Sequence, residues 1–63
     1  MNKLPPKQRL FIAEYVVDKN ATQAAIRAGY SAKTADVQGP RLLGNVRIRE
    51  LIDKKLEKLE EKV

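Results

Sequence analysis

The chain has 63 residues, 13 of them Lys or Arg and eight Asp or Glu, for a formal charge of +5, and it contains neither cysteine nor histidine. That excludes disulfide frameworks, thiolate or imidazole catalysis and the usual zinc sites. A chain of this size forms one domain at most, and such a domain buries only about 60% of the surface its unfolded form exposes. No apolar run approaches the roughly 18 residues of a membrane span, and the start, MNKLPPKQ, lacks the apolar core of a signal peptide. A soluble, intracellular protein is expected.

Pro6 opens the first periodic segment, as suits a first helical turn. Phe11, Ile12, Tyr15 and Val16 then form a broad apolar stripe, predicting a helix over residues 6–18. Asn20 reads as an N-cap, with Gln23 placed for a near capping box. A short second helix follows over 21–28, ended by Gly29. Ser31 reads as the next N-cap, starting a third helix near residue 32 that runs to about 43. Gly39-Pro40 interrupts it, so a kink or restart is expected there. Gly44-Asn45 closes that segment and caps a fourth helix from about residue 46 to near the end. No stretch alternates in the manner of a strand. The fold class is therefore all-α: a small four-helix domain containing a helix-turn-helix, with a longer C-terminal helix.

Ala21, Ala24, Ala25 and Ala28 recur at i, i+3, i+4 and i+7 and so share one helix face. A face of methyl groups lets a second helix approach closely. Followed by the turn Gly29-Tyr30-Ser31, it describes two packed helices joined tightly, either a plain αα-corner or a helix-turn-helix. Tyr30 is placed to fold its ring toward Phe11 and Tyr15. Charge supports the DNA-binding alternative. Residues 1–49 hold nine Lys or Arg against three acids, whereas residues 50–63 hold four Lys against five acids. Lys33 is expected in the first turn of the third helix, where the macrodipole disfavours a cation, with Thr34 and Gln38 beside it. Lys contacts phosphate or guanine, Gln pairs with adenine and Thr serves either. Arg47 and Arg49, two residues apart, point different ways; one is expected to reach phosphate and the other to make a surface contact.

Catalytic chemistry is not indicated. The chain has no glycine-rich phosphate loop, and Glu14 with Asp18, at i and i+4, read as a solvated acidic face. No enzyme activity, metal or cofactor is expected. In the last helix Ile52, Leu56, Leu59 and Val63 follow a 4-3-4 rhythm, open to reading as an association seam or as an amphipathic end. Residues 1–52 are taken as the domain and 53–63 as a helical extension leading to a linker or oligomerisation region.

The stretch LPPKQRLFIAEYVVDKNATQAAIRAGYSAKTADVQGPRLLGNVRIRELI resembles the N-terminal DNA-binding domain of the phage terminase small subunit, most specifically in NATQAAIRAGYS. The resemblance covers residues 4 to about 52. It implies a role in packaging viral DNA: binding double-stranded DNA at the packaging-initiation site, assembling into a homo-oligomeric ring, and recruiting or regulating the terminase large subunit, which holds the ATPase and nuclease. Carried onto this chain, the turn helices are 21–28 and 32–43. The DNA-facing candidates are Lys33, Thr34 and Gln38, with basic support from Arg27, Arg41 and Arg47. Pro5 stands where relatives often carry a hydroxyl cap, and Pro40 where a small residue is common. The family's ring-forming domain would follow this segment, so the segment alone is expected to be monomeric. A helix-turn-helix regulator of another kind, or a protein-interaction domain that binds no DNA, are the competing readings.

Overall fold

The computed structural model describes residues 4–61, with side chains described as far as residue 58. The described residues form four helices: α1 (Pro6–Asp18), α2 (Ala21–Arg27), α3 (Ala35–Leu43) and α4 (Val46–Glu61). Among the described residues there is no strand, so the all-α four-helix expectation holds.

Local chemistry fixes the boundaries. Pro5 offers no side-chain cap to α1, as its lack of a hydroxyl predicts; its carbonyl instead accepts from the amides of Gln8 and Arg9 at 3.0 and 3.2 Å. Lys19 ends α1 in the left-handed region, at φ 58°, while its amide donates to the Tyr15 carbonyl at 2.6 Å. The α1 stripe packs as expected: Phe11 and Ile12 are buried, Tyr15 and Val16 lie against them, and the Phe11 and Tyr15 rings stack at 5.8 Å.

Asn20 caps α2, its Oδ1 accepting from the Gln23 amide at 3.1 Å. The reciprocal half of a capping box is supplied by a different residue: the Asn20 amide donates to Asp18 Oδ1, also at 3.1 Å. Gly29 leaves α2 with φ +107°, a conformation that disfavours any side chain. Beside it the Lys7 ammonium stands 5.3 Å from the centre of the Tyr30 ring, an attraction between cation and ring face.

Two expectations for α3 are corrected. The helix begins at Ala35 rather than near residue 32. Ser31 caps a separate tight turn: its Oγ accepts from the Lys33 amide at 3.3 Å, and its carbonyl from the Thr34 amide at 3.1 Å. Thr34, at φ −113° and ψ 2°, lies outside helical geometry, and its carbonyl then accepts from Gln38 at 2.8 Å to open α3. Of the kink or restart expected at Pro40, the restart does not occur: Pro40 lies inside one continuous helix. Pro40 and Asp36 share the exposed side of α3, where water can serve the Asp36 carbonyl that proline leaves without a donor. Asn45 caps α4, accepting from the Arg47 and Ile48 amides at 2.9 and 3.4 Å.

The alanine face does what its spacing implies. Ala24, Ala25 and Ala28 are buried with Ala35, Leu42, Ile48 and Ile52, and Ala21 lies against this core. α2 packs most extensively on α3, while α1 covers α2 and α4. Gly39 backs tightly onto α2: an added Cβ would stand 2.9 Å from the backbone carbon and oxygen of Ala21 and 3.0 Å from its Cβ. Ile52 is buried and Leu56 lies against the core; the Leu59 side chain and Val63 lie outside the described residues. α4 continues without a break through residue 52.

Gly39→Ala adds a methyl group where only backbone could yield. Its gain in helix propensity, about 1 kcal/mol, is outweighed by overpacking of about 1–3 kcal/mol. The urea midpoint should fall and the melting temperature drop by several degrees; an unchanged melt would show that α2 and α3 can separate without loss.

Candidate nucleic-acid interface

The face that α3 offers to solvent is set by the face it buries. Ala35, Gly39 and Leu42 are buried, at the i, i+4 and i+7 spacing of one stripe. Thr34, Val37, Gln38 and Arg41 take the same spacing on a different side, starting from the residue that caps the helix. Thr34, Val37 and Arg41 are exposed and Gln38 is half-buried. Lys33 is also exposed, in the turn that leads into α3. It therefore precedes the helix, contrary to its expected place in the first turn, and Asp36 occupies that turn instead, where an anion suits the macrodipole. Thr34 keeps its hydroxyl partly engaged, Oγ1 donating to the Ser31 carbonyl at 3.4 Å.

The arginines divide. Arg41 and Arg47 are exposed, on α3 and at the start of α4. Arg49 turns back, its Nη1 donating to the Leu43 carbonyl at 3.5 Å and so serving the C-terminal end of α3. Arg27 also turns inward to the fold. Its Nε donates to Glu14 Oε1 at 2.7 Å, and its Nη2 to both Asp18 carboxylate oxygens at 3.2 Å and to the Glu14 carbonyl at 3.3 Å. Glu14 and Asp18, one turn apart on α1, thus grip a single guanidinium from α2 rather than forming an unpartnered acidic face. The structure brings Lys33, Thr34, Gln38 and Arg41 together around the start and outer side of α3, adds Arg47 at the α3–α4 junction, and takes Arg27 away from them.

Neither the Arg27 clamp nor Val37 stands out in the sequence. For the clamp, the signal is the i, i+4 carboxylate pair, whose partner lies 13 residues from Glu14. For Val37, the signal is Gly39: once it is assigned to the buried stripe, Val37 falls on the opposite side.

The Asp18 carboxyl is held below the usual carboxylate range, first by the Asn20 amide that donates to it and then, against some desolvation, by Arg27. Because the folded value is the depressed one, the associated stability is complete above the unfolded value of about 3.9 and is lost as pH falls through the lower folded value. Urea midpoints of the wild type should decline below about pH 4 more steeply than those of Asp18→Asn. Parallel declines would show that Asp18 is not the responsive group.

The fold and surface define a small all-helical domain whose third helix shows solvent a mainly polar side, with Lys33 ahead of it, Arg41 on it and Arg47 just after it. The chain belongs to the terminase small subunit family, whose model matches residues 4–63. The chain is 49% identical over 61 residues to the terminase small subunit of Bacillus phage SF6, a match covering 95% of this chain and 42% of that protein. It is 46% identical over 56 residues to the terminase small subunit of Staphylococcus phage 80alpha, covering 87% of this chain and 38% of the relative. A PBSX phage terminase small subunit from Bacillus subtilis (strain 168) is 51% identical over 47 residues, covering 75% of this chain and 18% of that protein. The chain thus spans less than half the length of each of these relatives. No solved structure gives a significant match.

Proposed function

We propose that this chain is a DNA-binding module of a phage genome-packaging terminase, with α2, the turn and α3 acting as a helix-turn-helix and α3 entering the major groove. The observation that carries this reading is the arc of exposed Thr34 and Arg41 with half-buried Gln38, led by exposed Lys33, beside a buried stripe of α3 that packs on α2. In a helix-turn-helix the second helix lies in the groove and its N-terminal residues meet base edges. Lys33, Arg41 and Arg47 serve phosphates or guanine, and Thr34 and Gln38 the base edges. Asp36 stands on the exposed side of α3 as well; it repels phosphate and suits the amino group of cytosine. Arg27 positions α2 and makes no DNA contact.

In this reading the module recognises the packaging-initiation site on phage DNA, and the full-length protein assembles into a ring and recruits or regulates the large ATPase and nuclease subunit. This chain is not itself an enzyme. Residues 1–52 form the module, and 53–63 lead toward the oligomerisation region. Family membership supports the packaging context. No helix of the described residues is long and apolar enough to cross a membrane.

Titration against duplex DNA across salt concentrations tests the reading. Each phosphate contact contributes about −0.9 to the slope of log affinity against log salt. Lys33→Glu and Arg41→Glu should each weaken binding at least tenfold and flatten the slope. Arg27→Met should lower the unfolding midpoint and leave the slope of the folded protein unchanged. Negligible, salt-insensitive binding by the wild type would leave the protein-interaction reading in its place.

A further inference from the structure

We infer that Val37 is a specificity-determining residue that reads the C5-methyl group of thymine in the major groove. The inference rests on the proposed DNA-facing role of α3 and adds to it a base class and a residue outside the polar set.

Val37 is 55% exposed. Single exposed apolar residues are ordinary on protein surfaces, and Leu10, Val17 and Val46 are also exposed here. Val37 differs in its position. It lies in the first turn and a half of α3, between Thr34 and Arg41 on the i, i+3, i+7 arc, next to Gln38. Helical spacing thus sets an exposed apolar side chain beside Thr34, Gln38 and Arg41, on the side of α3 facing away from the buried Ala35, Gly39 and Leu42.

Valine there also lowers local stability. A β-branched residue is a poorer helix former than alanine by roughly half a kcal/mol, and this one gains little burial in return. Its branching does confer one property of use: χ1 is held almost entirely to one rotamer in a helix. Two methyl groups are therefore presented in a fixed place. On the major-groove edge of B-DNA the thymine methyl is the apolar group, and every other feature of the base-pair code is a hydrogen-bond donor or acceptor. A rigid isopropyl group between hydrogen-bonding neighbours complements that methyl group and leaves the donors or acceptors of other base pairs unmet. Thr34 and Gln38 then engage the polar edges of adjacent pairs.

The test begins with duplexes enriched from a random-sequence pool by binding to the chain. An enriched duplex is resynthesised with deoxyuridine replacing thymidine, which keeps the base pairing and removes only the methyl groups. The wild type should bind the thymidine duplex about fourfold more tightly per methyl contacted, the equivalent of ~0.8 kcal/mol. Val37→Ala should bind both forms with equal affinity, close to that of the wild type for the deoxyuridine form. Val37→Thr, which keeps one methyl, should fall between them. Helical circular dichroism confirms that each variant is folded. Equal binding of both duplexes by the wild type, a preference for thymidine that survives in Val37→Ala, or enrichment of sequences lacking thymine overturns the assignment of Val37 while the DNA-facing role of α3 stands. Absence of DNA binding overturns both.

Discussion

The contact between Gly39 and the backbone of Ala21 is the constraint on which the rest of the domain depends. With 2.9 Å between the Ala21 backbone and the place a Cβ would take, the α2–α3 interface is set by main chain rather than by interdigitating side chains. That distance explains why α2 can be so poor in bulk. Methyl groups fill what remains of the gap, and the larger side chains, Phe11, Ile12, Ile48 and Ile52, come from the flanking helices α1 and α4. The same contact fixes how α3 is rotated about its axis, and so which residues meet solvent. Overpacking penalties of a few kcal/mol are a large share of the stability of so small a domain. The rotation of α3 is accordingly steeply restrained.

A second device sets how α2 sits on α1. Arg27 reaches two carboxylates one helical turn apart, and Asp18 in turn receives the Asn20 amide ahead of α2. One exposed network thus joins the end of α1, the link and the last turn of α2. Surface ion pairs contribute little to stability. Here the geometric effect is the greater one, because sliding α2 by a residue would part the guanidinium from both partners. The cluster is also a reminder that counting arginines overstates the charge available to a ligand: Arg27 and Arg49 are both engaged within the fold.

Much of this was legible in the sequence, and what was not has physical causes. The limits of α1, the Asn20 and Asn45 caps, the alanine stripe and the Gly29 turn follow from local chemistry, which short-range rules capture. The start of α3 does not. Ser31 can cap a helix or close a turn with the same hydroxyl, and the choice depends on where α3 must lie to bring Gly39 against Ala21. Pro40 reads as a break because a lost hydrogen bond weakens any helix, yet exposure to water lessens that loss, and exposure is a tertiary property. Lys33, Thr34 and Gln38 stand out by residue type and spacing, and Arg41 through the family resemblance; in the structure Lys33, Thr34 and Arg41 are exposed and Gln38 is half-buried. Arg27 was grouped with them because nothing local shows that two carboxylates of α1 lie within its reach.

The two sides of α3 respond to mutation in different ways. On the buried side, a single methyl group at position 39 strikes backbone. On the outer side, Lys33, Thr34, Val37 and Arg41 contribute no core contact, and exchanges at such surface positions usually change stability by no more than about 0.5 kcal/mol. Variation can therefore accumulate on the outer arc while the scaffold stays intact. A domain with little stability in reserve would otherwise lose its fold as its surface changed. The separation of the two sides lets a lineage vary its outer surface while holding to one way of folding.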